Sequence, residues 1–255
     1  MEIALTTHLI LVAVAFFAGL MSSIAGSGGI LTLPALLWAG LPPLQALATN
    51  KVQSSLGTLS SAWNFFRKGH IDLQPVILSV LLAIVGSIVG TVVVQSMSVD
   101  ILTKLVPVLL LAIALYFLFS KDINNSVLKN SQQPPKISRH WFACTAGLGM
   151  GFYGGFFGPG MGSIMPFLFV WLLGYNLVRA TAETKLMILA VNGTSAVIFI
   201  YNGLVYWQLA IGMSVAQITG ALLGSNMVIS RGTALVQPLI ITVTILVSLK
   251  LLLWP

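Results

Sequence analysis

Two lysines stand where a charged side chain could bind a ligand in an apolar environment. Lys51 and Lys185 each lie about two helical turns inside an apolar segment. A charge inside a membrane segment costs at least about 3 kcal/mol, so such a residue is by default a candidate for function. A lysine can also extend its ammonium group to the membrane interface. The sequence therefore offers two interpretations of this pair: an anion site, or two snorkelling side chains.

A glycine-rich stretch precedes each lysine and interrupts an apolar run. The first, Gly26–Gly29, lies in the run from Leu9 to Leu41, and the second lies at 158–162. Each glycine is about 1 kcal/mol less favourable than alanine in a helix, so we predict a break at both places. Backbone groups freed by a break in a bilayer must be surrounded by protein or by a polar cavity. The stretches match at one constant spacing, and the matched pairs are Gly26 and Gly158, Gly28 and Gly160, and Pro34 and Pro166.

The helices that follow the breaks could bind an anion through their first turns. We predict that they begin near Gly29-Ile30 and near Gly162-Ser163. The free N–H groups of such a turn carry about half a positive charge, and glycine lets an anion come close to them. Paired interruptions of this kind also indicate the binding site of a transporter. The alternative is that the glycines only allow helices to pack tightly.

We therefore predict a substrate site built from both breaks and from polar residues on the helices after them. Amides and hydroxyls on membrane helices also join helix to helix, so that alternative stays open for them. The predicted substrate-binding residues are Gly26, Ser27, Gly28, Gly29, Asn50, Lys51, Gln53, Ser54, Gly158, Gly160, Gly162, Ser163, Thr184, Lys185 and Asn192.

One acidic residue, Glu183, lies well inside an apolar segment. It could carry a proton that is coupled to transport. It could equally form an ion pair with Arg179, four residues earlier on the same helix. Both interpretations are open from the sequence.

The composition identifies the class of protein. The chain has 255 residues, of which 57% are hydrophobic and 7% are charged, whereas a soluble domain has about 25% charged residues. Several apolar runs reach about 20 residues, enough to cross the hydrocarbon core of a bilayer as a helix. We predict an all-α, polytopic transmembrane protein.

The same composition argues against several other functions. The net charge is +7, but the basic residues lie mainly in loops, which is typical of membrane topology, and we expect no nucleic-acid partner. The single cysteine, Cys144, excludes an intrachain disulfide and a thiol metal cluster. The sequence contains no nucleophile triad, Walker loop or HExxH motif, so we expect neither an enzyme nor a cofactor.

The apolar segments divide the chain into two repeats. Two of the segments, 29–40 and 161–173, are too short to cross a bilayer, and we interpret them as the returning arms of re-entrant hairpins. We predict a first transmembrane repeat at 1–120, a cytoplasmic linker at 121–140 and a second repeat at 141–255, each with one broken hairpin and three spans. The segments are 8–25, 29–40, 44–66, 73–96, 101–119, 141–157, 161–173, 177–201, 206–229 and 235–254.

The repeat continues beyond the breaks. After two extra residues in the second half, the spacing is constant again. We call two residues matched positions when they are related by the first spacing, before the two extra residues, or by the second spacing, after them. They include Ala48–Lys51 with Ala182–Lys185, Ser61 with Ser195, Phe65 with Phe199, and Gly69 with Gly203.

Positive charges in the loops predict how the repeats face the membrane, because Lys and Arg favour cytoplasmic loops. If each hairpin enters and leaves on one side, the loop with Arg67 and Lys68, the linker, Arg179 and Arg231 are all cytoplasmic. The opposite loops, near 41–43, 97–100 and 202–206, contain no Lys or Arg. Three spans in each repeat then invert the second repeat relative to the first. Both termini are predicted to lie outside a cytoplasmic (inner) membrane.

These motifs resemble the signature of the sulfite exporter TauE/SafE family. The resemblance covers nearly the whole chain and implies export or uptake of sulfite or organosulfonate anions. The second glycine run departs from the family pattern, because Pro159 and Met161 interrupt it. The segments that carry the resemblance are Gly19–Pro34, Leu41-Pro42-Pro43, Ala46–Asn50, Gly154–Pro166 and Ala180–Lys185.

The expected function is secondary transport of a small inorganic or organosulfur anion across the bilayer, with Glu183 as a candidate for proton coupling. The chain carries no nucleotide-binding motif, so an ion gradient or the membrane potential must drive it. The alternative is an anion-selective channel. Saturation of the flux and its dependence on a proton gradient would separate the two.

Overall fold

The computed structural model describes residues 4–26, 28–119 and 134–231, and these residues form helices with no strand among them. The predicted all-helical class is confirmed. A π-helical turn, Ala143–Gly147, joins α6 to α7. The helices are α1 (Leu5–Ala25), α2 (Gly28–Trp38), α3 (Pro43–Arg67), α4 (Leu73–Ser96), α5 (Val99–Phe119), α6 (Arg139–Phe142), α7 (Leu148–Phe156), α8 (Met161–Leu173), α9 (Leu177–Tyr201) and α10 (Trp207–Arg231).

Local chemistry sets the helix boundaries close to the predicted ones. Pro43 begins α3, because proline is favoured in the first turn, where its missing N–H costs nothing. The Asn176 side chain accepts a hydrogen bond from the Arg179 N–H at 2.9 Å and so caps α9. Asp72 caps α4 in the same way, through the Gln74 N–H at 3.3 Å.

Four helices of the described residues are long and apolar enough to cross a membrane, namely Leu5–Ile24, Leu73–Ser96, Leu177–Tyr201 and Trp207–Ile229. The predicted span α3 is equally long, but it is more polar because it carries the side chains of the candidate site. It packs against α9 and α10. The predicted span 235–254 and linker residues 121–133 lie outside the described residues.

The outward surface of α4 shows why the protein needs a bilayer. Leu81, Val85, Val89 and Val92 follow one face of this helix and are each about half exposed. A soluble protein rarely exposes a continuous apolar surface of this kind. Lipid chains can cover it, since every backbone group of the helix is bonded internally.

The two halves of the chain pack across each other through small residues. Helix α1 lies against α10, and helix α7 lies against α4. A Cβ at Gly19 would overlap the backbone of Gln217, and a Cβ at Gly151 would overlap the backbone of Ala83. These two contacts join matched positions, so the same close helix approach occurs twice.

The end of the predicted linker is anchored to the second half. The Lys136 N–H donates to the Leu172 carbonyl at 2.8 Å, at the end of α8. The Lys136 ammonium lies 4.7 Å from the centre of the Trp171 ring. Helix α6 then begins at Arg139, two residues before the predicted segment.

Candidate functional site

The first break separates α1 from α2. Helix α1 ends at Ala25, and Gly26 follows with a φ of 73°, in the left-handed region that side chains disfavour. The Gly26 N–H donates to the Ser22 carbonyl at 2.8 Å and closes the end of α1. Helix α2 begins at Gly28, one residue before the predicted start, and Ser27 lies outside the described residues.

The second break, between α7 and α8, contains more left-handed backbone. Gly158 has a φ of 100° and Gly160 a φ of 87°. The Met161 N–H donates to the Gly158 carbonyl at 3.2 Å, and the Ser163 N–H donates to the Gly160 carbonyl at 3.0 Å. The Ser163 amide, which was predicted to face an anion, is therefore bonded within the turn.

The structure brings the two breaks together. A Cβ at Gly26 would overlap the backbone of Gly162, and a Cβ at Gly162 would overlap the backbone of Gly26. A Cβ at Gly29 would lie 3.5 Å from Pro159 and 3.7 Å from the Asn50 amide nitrogen. The glycine stretches of both halves thus meet beside Asn50 of α3.

Two of the predicted glycines make room for neighbouring helices. A Cβ at Gly28 would lie 2.5 Å from the Ala18 carbonyl of α1. A Cβ at Gly160 would lie 3.0 Å from the Ile113 side chain of α5. Close helix packing therefore accounts for both positions, and their part in anion binding stays a prediction.

Both lysines are buried, each with 1% of its surface exposed, so the snorkelling interpretation is wrong. Lys51 Nζ donates to the Gly154 carbonyl and Lys185 Nζ donates to the Ser22 carbonyl. Ser22 and Gly154 are matched positions in the last turns of α1 and α7. Each ammonium group therefore lies at the negative end of the broken helix of the other half, where a cation is favoured.

The surroundings of the lysines contain neutral oxygens. Lys51 Nζ also donates to the Asn192 side-chain oxygen at 3.2 Å. A Cβ at Gly158 would lie 2.6 Å from the same ammonium group. Within the described residues, the ion pairs involve Arg179 with Asp72 and Glu183, and neither lysine has a carboxylate partner.

A polar network surrounds Asn50 on α3. Its side-chain oxygen accepts hydrogen bonds from Thr32 Oγ1 at 2.6 Å, Gln53 Nε2 at 3.1 Å and Ser54 Oγ at 3.4 Å. The Gln53 oxygen is buried without a hydrogen-bond partner. Three of the predicted residues are therefore in direct contact, and Thr32 is a member that the sequence analysis missed. A hydroxyl in the short apolar arm α2 was the available signal.

The second half is less polar at the matched positions. The Thr184 hydroxyl donates to the Ala180 carbonyl of its own helix at 2.7 Å, so its proton does not point into the site. Ser163 lies in the first turn of α8, beside the second break. The Tyr153 hydroxyl donates to the Pro159 carbonyl and fixes the second break from within, a contact that the sequence did not predict.

Glu183 forms the predicted ion pair. Its Oε1 accepts from Arg179 Nε at 2.7 Å, and the Glu183 side chain is fully buried. Arg179 Nη2 lies 3.7 Å from the Asp72 carboxylate, and the guanidinium carbon lies 4.2 Å from the centre of the Tyr175 ring. Burial raises the pKa of the Tyr175 phenol, and the Glu183 charge adds to the rise. The ion pair is confirmed, whereas proton coupling through Glu183 stays a prediction.

Comparison with known proteins identifies the class. A "Probable membrane transporter protein" of Haemophilus influenzae is 38% identical over 251 residues, covering 98% of this chain and 96% of the relative. The "Probable membrane transporter protein YfcA" of Escherichia coli K12 is 40% identical over 239 residues, covering 94% of this chain and 87% of the relative. No solved structure matches the chain. With its membrane-spanning helices, the protein is a helical membrane transporter.

The family follows from the same comparison. A family model described as Sulfite exporter TauE/SafE matches residues 11–251. The chain belongs to this family, and the resemblance noted from the glycine motifs is confirmed.

Proposed function

We propose that this protein is a secondary transporter of small sulfur-containing anions, sulfite or organosulfonates. The anion binds near the membrane midplane, between the two broken helices. The observation that carries the proposal is the pair of buried lysines, Lys51 and Lys185, whose hydrogen bonds in the described structure go to neutral oxygens.

A buried ammonium group without a counter-ion is expensive. Transfer of an isolated charge out of water costs many kcal/mol unless the charge is paired. Helix C-terminal carbonyls offset some of this cost through the helix dipole. An anion that enters between Lys51 and Lys185 would supply the missing charge, which gives the site selectivity for anions over neutral solutes.

The matched contacts support two inverted repeats with re-entrant hairpins. Lys51, in the first repeat, donates to α7, which is the first arm of the second hairpin. Lys185, in the second repeat, donates to α1, which is the first arm of the first hairpin. Such reciprocal contacts follow from a two-fold relation between residues 1–120 and 141–255. In this arrangement the linker 121–140 is cytoplasmic, both termini are outside, and the membrane is the inner one.

Flux into proteoliposomes tests the proposal. Lys51→Ala and Lys185→Ala should each lower sulfite flux at least tenfold, because each removes one of two cations that face the anion. Lys51→Arg should keep some of the activity, since a guanidinium retains the charge but is wider and forked. Lys104→Ala removes an exposed lysine from α5 and is the matched control. Wild-type kinetics in both buried-lysine variants, at equal membrane abundance, would refute the site.

The same assay separates a transporter from a channel. A transporter saturates with sulfite, and a coupled one responds to an imposed proton gradient at constant membrane potential. If a proton is coupled, Glu183→Gln should remove this response. A flux that rises linearly with concentration, and that follows only the membrane potential, would favour the anion channel.

A further inference from the structure

A second polar cluster lies at the start of α9, apart from the lysine contacts. It consists of Tyr175, Arg179 and Glu183, together with Asp72 at the start of α4. Arg179 lies on one face of the Tyr175 ring, and Phe169 stacks with that ring at 5.6 Å. The tyrosine is therefore held in place by packing.

The cluster contains hydrogen-bonding groups with no partner. The Tyr175 hydroxyl and Arg179 Nη2 are buried donors that make no hydrogen bond in the described structure, and the Asp72 carboxylate lies 3.7 Å from Nη2, beyond hydrogen-bond distance. Tyr175 as a whole is 8% exposed. A buried polar group without a partner costs about 1–3 kcal/mol. Two such donors beside one another, one of them cationic, are suited to an acceptor with several oxygens, such as a small oxyanion.

A surface cavity adjoins this cluster at Asp72. It has a volume of about 340 Å³, and its lining is Asp72, Gln74, Pro75, Leu78, Arg139 and His140. Asp72 belongs both to the cavity wall and to the ion pair with Arg179. Arg139 brings a second positive charge to the entrance, where it would attract an anion.

The other half has no such cluster at the matched positions. Leu41, Gln45 and Thr49 correspond to Tyr175, Arg179 and Glu183, and Tyr206 corresponds to Asp72. Thr49 accepts a neutral hydrogen bond there, from the Tyr206 N–H at 3.1 Å. The charges are therefore confined to one face of the molecule and are not required by the repeat.

We propose that Tyr175 and Arg179 form a second anion station, which a small oxyanion occupies between the cavity and the lysine site, together with a proton on Glu183. This inference rests on the proposed function, since it assumes that the anion moves on to the lysines. The station is present on one face of the molecule only, so we expect the affinity for the anion to differ between the two sides of the membrane.

The charges of the neighbouring groups give the reason why Glu183 takes up a proton when the anion binds. Four charged groups lie in or beside this cluster: Arg179 and Glu183 on α9, Asp72 at the cap of α4, and Arg139 on α6, which shares the cavity wall with Asp72. Their charges cancel, and Tyr175 is neutral. An anion added to this neutral cluster is compensated when Glu183 takes up a proton, and its unpaired Oε2 is the available position. Anion and proton then bind and leave together.

Binding stoichiometry tests the station. Equilibrium binding of labelled sulfite to the purified protein should show two anions per chain in the wild type. Tyr175→Phe and Arg179→Gln should each leave one. Tyr201→Phe, at an exposed tyrosine, is the matched control and should keep two. The double variant Lys51→Ala with Lys185→Ala should also leave one anion, at the station.

The proton is tested with methanesulfonate, whose own charge is constant between about pH 5 and 8. In the double lysine variant, its affinity should rise by up to about tenfold for each unit that the pH falls, because one proton binds with the anion. Glu183→Gln in that background should bind without this pH dependence. If the double variant does not fold, the slope is measured in the wild type for the site that Tyr175→Phe removes.

Two failures are distinguishable. If Tyr175→Phe and Arg179→Gln keep the wild-type stoichiometry and affinity, the cluster is a structural ion pair and the station is refuted. If the wild type binds a single anion, the site that does not exist is the one whose variants leave this binding unchanged. If instead the double lysine variant still binds two anions, the station stands and the proposed lysine site is wrong.

Discussion

Lys51 and Lys185 occupy matched positions, yet their surroundings differ. Lys51 donates to Gly154 and also to Asn192, whereas the hydrogen bond of Lys185 goes to Ser22. The position matched to Asn192 is Thr58, and no hydrogen bond joins it to Lys185 in the described residues. An ammonium group has three N–H donors, so Lys185 keeps two for an anion and Lys51 keeps one. We infer that Lys185 contributes more to anion binding and that Lys51 contributes more to the stability of the site.

The largest expected effect concerns the breaks that position these lysines. Gly28→Val and Gly160→Val should both abolish sulfite flux. Valine at 28 meets the Ala18 carbonyl, and valine at 160 must adopt a φ of 87°, which costs about 1–2 kcal/mol in addition to its contact with Ile113. Gly149 has no atom within 4 Å of its Cβ position, so Gly149→Val is the control. The variants must insert and be monodisperse in detergent. Normal flux in a folded Gly28→Val protein would show that the break is only a packing device.

The next effect separates the two lysines by stability. Each alanine variant removes one buried charge, so the difference between the two reports the lost hydrogen bonds. Lys51→Ala should lower the free energy of unfolding by about 1–3 kcal/mol more than Lys185→Ala, because the Gly154 carbonyl and the Asn192 oxygen both lose a donor. Lys185→Ala should cost less, since Ser22 still accepts from the Gly26 N–H. Thermal unfolding in detergent measures both. Equal losses, or a larger loss for Lys185→Ala, would contradict the comparison.

A smaller effect is expected when Asn192 and Thr58 are exchanged, because these matched residues make the surroundings of the two lysines differ. Asn192→Thr should free Lys51 from its second partner, and Thr58→Asn should offer one to Lys185. One such hydrogen bond contributes about 1 kcal/mol, so we expect the KM for sulfite to change about fivefold, with opposite signs for the two variants. Flux measured over a range of sulfite concentrations gives KM. A change of KM in the same direction in both variants would contradict this explanation.

The smallest effect on activity, and the most direct test of inversion, uses two exposed loop positions. Lys68 and Asn202 are matched and end helices α3 and α9. In a variant without Cys144, a cysteine at Asn202 should react with an impermeant reagent in intact cells, and a cysteine at Lys68 should react only after permeabilisation. Flux should change little in either variant. Labelling of both positions from the same side would exclude inverted repeats.

The sequence predicted where the helices begin and end better than it predicted which residues they contact. The breaks at Gly26 and Gly158 were predictable because local backbone chemistry determines them. The contact between Lys51 and Gly154 was not predictable, because the two residues are far apart in the chain and meet only through the packing of the two halves. The repeat carried the missing information, since Lys51 and Lys185 and their two acceptors are all matched.

The polar residues of the candidate site show a similar limit. Asn50, Gln53 and Ser54 share a helix, so their proximity could be predicted from helical spacing alone. Thr32 contacts them from α2, and this contact could not be predicted from helical spacing, because it depends on how α2 packs against α3. We expected the Thr184 hydroxyl to face the site. It instead donates to the Ala180 carbonyl on the preceding helical turn, as threonine in a helix commonly does.

The contact between Gly26 and Gly162 has a consequence for permeation. Main chain touches main chain there, with no side chain that could swing aside. A conduit along the line between the breaks would have to push the two backbones apart by the width of an ion. A rocking movement of one half over the other can instead keep them touching, so that the pair serves as a pivot while access passes from one face to the other.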